Sequence, residues 1–431
     1  MTGRASGALG LLGDREFAAL SGVAFARSQA YSTILIALAL YADQFGTTGV
    51  VEGLFGTAFA VAQLLVVLPL GRKVDTGNAK RFLLAGLALN VAVFVGFALV
   101  ENSMHVILIR VVQGLGASLL WVTGSAVVGE ISPEDGSGRW LGAYNQVGAF
   151  SSLAGDLVGG YLLYAYDFVW AYAALTAVTV LAFGLVWRHL RNDPGGRKDP
   201  DEATGVETIR ALLARPMVRS LVVFRLGFSV GKMAVIIFLP IFARTEFGIN
   251  AFAIGWILAG GKLTKSIFQG YMGDLTDRIG KRYWFVVAGA LLYGLGTALI
   301  PLALFFEGTV PPIRFDAFGR TQVLGGAFFA LFAAYGILGI ADSVRLPASM
   351  ALFVEEGERL DSVASSMSLR SIAWKVGQVT GPVLVGVIKD AVSTTMAFLT
   401  AAAFIAVATG VFVATYLRTR EAPAATPAVG D

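Results

Sequence analysis

The sequence has no cysteine, which excludes disulfides, thiolate metal sites and cysteine nucleophiles. Histidine is almost as scarce. His105 and His189 are the only two, each at an expected helix end, where interfacial solvation explains them better than a metal site that needs converging ligands. Charge is thin as well: 14% of the 431 residues are Asp, Glu, Lys or Arg, against 56% hydrophobic, and mean hydropathy is +0.71. A soluble enzyme of this length does not carry so much apolar surface. No phosphate-binding loop is present, so ATP drive within the chain is not expected. Neither a nucleophile–base pair nor paired catalytic carboxylates assemble from the apolar runs, which argues against an enzyme, and no cofactor or metal is expected. Met1 to Arg15 lacks the apolar core of a cleaved leader.

What is abundant is long apolar runs, and a bilayer span needs about 20 such residues. Twelve are expected, near 17–41, 50–71, 80–100, 104–129, 138–164, 168–189, 217–243, 251–273, 281–305, 322–352, 362–389 and 393–417. The longest polar interval, centred on Asp193 to Glu202, reads as a linker. It divides an N-terminal six-helix bundle (1–190) from a C-terminal one (217–418), with a cytoplasmic linker over 191–216 and a disordered tail over 419–431. Within the linker, Val206, Ile209, Leu212 and Leu213 share one face of a short surface helix. The net charge of +4 does not mark a nucleic-acid partner, because Lys and Arg gather in short loops on one side, which is the positive-inside pattern. That asymmetry places both termini in the cytoplasm and the chain in the cell membrane as a multi-pass protein.

Between two of the runs lies Gly273-Asp274-Leu275-Thr276-Asp277-Arg278-Ile279-Gly280-Lys281-Arg282, and a degraded copy, with Thr76 after the aspartate, spans Gly71 to Arg81. The glycines suit a tight reversal, and Asp277 suits the cap of a neighbouring helix. The halves repeat more widely. Phe45-Gly46, Gly53, Gly71 and Asp75 pair with Phe247-Gly248, Gly255, Gly273 and Asp277 at one offset. Glu130, Gly155 and Gly160 pair with Glu356, Gly381 and Gly386 at a larger one, the difference falling in an outer insertion around Pro311 to Arg320. The Gly-x-Leu-x-Asp-Arg-x-Gly-Lys-Arg order resembles the signature loop of the major facilitator superfamily, and Arg110 followed by Gln113-Gly114-Leu115-Gly116-Ala117 looks like its other recurrent motif. The resemblance implies an all-α fold of two pseudo-symmetric six-helix bundles and twelve transmembrane helices, with a substrate site between the halves.

Ionisable groups inside spans are functional candidates by default. Arg110 either faces a wet cavity or snorkels to the outer surface. Asp156 stands where proton-driven exporters of the family commonly have proline in Gly-Pro-x-x-Gly-Gly. At similar depth, Arg110 and Asp156 are expected to pair, either as a proton or counter-ion switch or as a structural lock between two helices. In the C-terminal half, Arg225 and Lys232, Lys262 and Lys265, Arg345 and Lys375 outnumber Asp342, which is placed to pair with Arg345 or Lys375. Either these cations line a water-filled cavity that attracts an anionic solute, or several snorkel at helix ends. Arg27 and Gln113 add polar groups from the N-terminal half.

The resemblance also implies a conformational gate at Gly71, Asp75, Glu130, Gly273, Asp277, Arg278, Gly280, Lys281, Arg282 and Glu356. Asp277 and Arg278 would bind near Glu356 when the cytoplasmic side is shut, and Asp75 near the start of the eleventh helix. The expected function is secondary transport of a small, anionic or amphipathic solute by a lipid-embedded monomer, coupled to protons. A drug or lipid exporter and a transporter-shaped sensor are the rivals.

Overall fold

A computed structural model describes residues 8–133, 137–193, 206–317, 319–360 and 362–421. Among them are twelve helices of at least 18 residues: α1 (Arg15–Gln44), α2 (Gly49–Thr76), α3 (Ala79–Ala98), α4 (Ser103–Ile131), α5 (Ser137–Ala165), α6 (Phe168–His189), α7 (Pro216–Phe247), α8 (Ala251–Ile279), α9 (Arg282–Leu299), α10 (Gly326–Glu358), α11 (Val363–Ala391) and α12 (Thr394–Glu421). Short polar side chains start many of them. Asp14 accepts from the Phe17 amide at 2.8 Å, Asn102 from His105 at 3.0 Å and Asn250 from Ala253 at 2.9 Å, each satisfying an amide that the first turn leaves without a partner. The Phe-Gly pairs turn the chain at matching places, after α1 and α7: Gly46 has φ +54° and Gly248 φ +63°, values glycine adopts at little steric cost.

Ten of the twelve are long and apolar enough to cross a bilayer. The exceptions, α5 and α8, carry Asp156, Lys262 and Lys265, and they pack against each other across the two bundles. Helices α1–α6 and α7–α12 form the two six-helix bundles, joined also through α2 against α11 and α1 against α7. A short helix, Val206–Ala214, lies in the linker and buries Leu212 against Val218 and Leu369.

Three boundaries differ from the sequence expectation. The signature segment is mostly helix: Gly273 to Ile279 belong to α8, and the turn is left to Gly280, at φ +67°, and Lys281. A Cβ on Gly273 would meet nothing within 4 Å, so no close approach requires glycine there in this structure. Gly71 and Asp75 likewise fall within α2; the surroundings of Gly71 and the side chain of Asp75 lie outside what is described, as do residues 194–205 of the linker and 422–431 of the tail. The ninth span stops at Leu299 and continues through a 3-10 turn, Ile300–Leu302, into Ala303–Thr309, because Pro301 has no amide to donate. Part of the tenth expected span is not helix. The outer insertion folds as an antiparallel hairpin, β1 (Ile313–Ala317) with β2 (Arg320–Leu324), and α10 begins only at Gly326.

Candidate functional site: charged groups between the bundles

The two bundles touch on their outer halves through glycines that obey the internal symmetry. An added Cβ on Gly53 of α2 would lie 2.5 Å from the Pro382 carbonyl oxygen of α11, and one on Gly255 of α8 would lie 2.2 Å from that of Asp156 in α5. Gly160 faces the Ala251 carbonyl just as Gly386 faces that of Gly49, at 2.7 and 2.2 Å. Backbones this close leave no room for any larger residue. Asp156 therefore occupies in one bundle the place of Pro382 in the other.

Outward of these contacts lie polar clasps. The Asp390 carboxylate accepts from the Gly49 and Val50 amides at 2.5 and 2.9 Å, at the α2 N-terminus, where the helix dipole favours an anion. Lys389 binds both oxygens of buried Glu52 at 2.7 and 2.6 Å, and Arg244 reaches Asp43 at 2.8 Å. From β2, Arg320 donates to the Tyr164 and Ala165 carbonyls at 3.0 Å each, closing the end of α5. The deepest cross-bundle contacts are near mid-helix. Lys262 sits 2.6 Å from Asp156 Oδ2 and donates to Ser32 Oγ at 2.8 Å. Lys375 binds the Gln63 side-chain oxygen. These cross-bundle hydrogen bonds and ion pairs thus lie on the outer half and near mid-helix.

Arg110 does not pair with Asp156. It donates through Nε to the Phe55 carbonyl at 2.7 Å and through Nη1 to Gln113 Oε1 at 2.6 Å, with its guanidinium over Phe59, 4.3 Å from the ring centre. Its position inside the bundle excludes snorkelling: it is 1% exposed. Asp156 finds its counter-ion in the opposite bundle, a partner that depth along the sequence cannot identify. Asp342 is the hub of the C-terminal bundle, binding Lys232, Lys265 at 3.2 Å and Arg345 at 2.8 Å; Lys375 is not among its partners. Arg27 lies over Trp121 at 4.2 Å and Arg225 over Trp374 at 4.3 Å. Arg27, Arg110, Arg225, Arg370 and Lys375 have no carboxylate in ion-pair reach among the described residues. Sequence reasoning did not single out Gln63, Arg370 or Glu52; Arg370 is four residues before Trp374 on one helix face, and that spacing was its available signal.

At the cytoplasmic end, Asp277 meets Arg282 at 3.1 Å, and Arg282 also binds Glu355. Asp277 caps no neighbouring helix; Lys281 holds that position at the start of α9 without a side-chain cap. Glu356 is held by Arg215 at 2.8 Å and Arg359 at 3.2 Å, not by Asp277 or Arg278. Glu130 ends α4.

The Major Facilitator Superfamily profile matches residues 20–233 and again 221–430, one copy for each bundle. The chain belongs to this superfamily. It is 25% identical to YuxJ of Bacillus subtilis, an uncharacterised MFS-type transporter, over 82% of this chain and 86% of that one. It is 26% identical to the multidrug resistance protein MdtG of Rahnella sp., over 84% and 83%, and 25% identical to a probable 4-methylmuconolactone transporter of Cupriavidus pinatubonensis, over 70% and 72%. Among solved structures, a bacterial homologue of the human lysosomal transporter Spinster, inward-facing and unoccupied, superposes with a TM-score of 0.75 at 16% identity, covering 95% of this chain and 98% of that one. This superfamily member is thus a multi-pass membrane transporter and not an enzyme.

Proposed function

We propose that this transporter moves a small anionic solute by alternating access, with a proton as the coupling ion. The observation that carries the reading is the charge imbalance between the bundles: Arg27, Arg110, Arg225, Arg370 and Lys375 lack a carboxylate, while Asp156 and Asp342 are already engaged. Cations held away from bulk water demand either neutralisation or a counter-anion, and a solute that supplies the charge is drawn in. Lys375, held by an uncharged amide alone, and Arg225, stacked on Trp374, are best placed to meet it. Asp156 supports proton coupling, because it is a buried carboxylate whose counter-ion sits on the other bundle, so opening the outer side separates the pair. The likeness to MdtG, named for multidrug resistance, supports a second reading, a drug exporter.

Purified protein in liposomes, offered labelled carboxylates, organic phosphates, neutral sugars and cationic drugs with and without a pH gradient, tests the reading. Uptake of anions that collapses in Lys375→Ala and Arg225→Ala is expected. Transport of neutral or cationic solutes alone, with both variants active, refutes it.

A further inference from the structure

The buried arginines of the two bundles fall into two kinds. Arg110 spends its donors on a backbone carbonyl and an amide oxygen. Arg225, Arg345 and Arg370 do not: Nε of each, and Nη1 of Arg345, are buried with no hydrogen-bond acceptor. These three come from α7, α10 and α11 and converge. Arg225 stacks on Trp374, one helical turn from Arg370. Arg345 lies over Phe228, 3.8 Å from the ring centre and one turn from Arg225 along α7. The three guanidiniums also lie within each other's electrostatic reach. The one carboxylate among them, Asp342, also serves Lys232 and Lys265, so the cluster holds five cations against one acid.

We infer that Arg225, Arg345 and Arg370 form an oxyanion subsite in the C-terminal bundle that takes a doubly charged head group, phosphate or dicarboxylate in kind. Guanidinium forks match the paired oxygens of such groups, and a dianion offsets more of the surplus charge than a monoanion does. Arg370 is partly exposed, which leaves the subsite a path to solvent. The inference rests on the anionic reading above and adds where the charge is held and how large it is.

The test is thermal unfolding of the purified full chain titrated with inorganic phosphate at pH 8, with acetate at equal ionic strength as comparator, since a bound ligand raises apparent stability. Phosphate is expected to stabilise the wild type more than acetate does. Arg225→Gln and Arg370→Gln should each weaken the apparent affinity about tenfold. Arg370→Lys, which keeps the charge and loses the fork, should fall between, and exposed Arg188→Gln should match the wild type. If Arg225→Gln does not fold, the Arg370 pair of variants decides. A parallel titration with phosphatidic acid, a phosphomonoester lipid, in detergent micelles identifies the source: competition with phosphate assigns the oxyanion to a lipid head group, its absence to a soluble solute. Equal stabilisation of every variant by phosphate overturns the subsite while leaving the anionic reading intact. No stabilisation of the wild type by phosphate or phosphatidic acid overturns the subsite, and liposomes that then carry only neutral or cationic solutes overturn both.

Discussion

Arg110 shows what a single residue must do to survive inside a bundle. Its Nε and Nη1 donate at 2.7 and 2.6 Å to acceptors fixed on two helices, and Phe59 covers its face. A lysine offers one compact ammonium and cannot serve both acceptors in that geometry. Arg110→Lys should cost about 1.5–3 kcal/mol, read as a lower unfolding temperature in detergent. The two signature glycines should separate in the same assay. Gly280 has φ +67°, so Gly280→Val should lose about 1–2 kcal/mol. Gly273 sits in α8 with open space around a would-be Cβ, so Gly273→Ala should be neutral or gain up to about 1 kcal/mol. Equal losses in both would mean that the turn is not where the backbone places it. The sequence made Arg110 legible as costly and Gly280 as a turn, because both follow from local chemistry. It could not say that Arg110 leans on a carbonyl of α2, because a backbone acceptor leaves no mark in residue identity.

At the scale of elements, α5 and α8 explain themselves together. Each fails the apolarity expected of a lone span because each carries a charge whose partner is on the other. The Gly255 and Gly160 contacts bring their backbones close enough for Lys262 to reach Asp156. Twelve runs and two repeats were readable from periodicity and spacing; the pairing of α5 with α8 was not, since it needs the bundles to be folded against each other. The β1–β2 hairpin escaped for a different reason, because Val323 and Leu324 extend an apolar run that hydropathy alone merges with α10. A double-mutant cycle isolates the pair. Asp156→Asn alone leaves an ammonium with Ser32 and the Ser152 carbonyl but no counter-ion, and Lys262→Gln alone leaves a buried carboxylate. Each should destabilise by about 3–5 kcal/mol, and the double variant by clearly less than the sum. Strict additivity in thermal unfolding would show that the contact carries no coupling. Asp156→Asn should also remove any response of transport to a pH gradient.

For the whole molecule, internal symmetry relates the contacts that join the two bundles. Gly53 with Pro382 and Gly255 with Asp156 are equivalent contacts in the two repeats, so one rocking motion about the pseudo-symmetry axis can open both. The outer clasps, Asp43–Arg244, Glu52–Lys389 and Asp390 on the α2 N-terminus, must then part together, and the inner ends must close to offset their loss. Because the chain has no cysteine, the motion can be tested without first removing native thiols. A cysteine pair replacing Asp43 and Arg244, whose side chains now meet at 2.8 Å, should be bridged by a short thiol cross-linker on the outer surface. Bridging should arrest transport in liposomes while leaving the cytoplasmic side open, so that a single further cysteine at exposed Ser371 of α11 still reacts with a maleimide. A cleavable linker should restore turnover when cut. Undiminished flux with cross-linking complete would show that the outer ends of α1 and α7 need not separate, and the rocking motion would have to be abandoned in favour of a local gate.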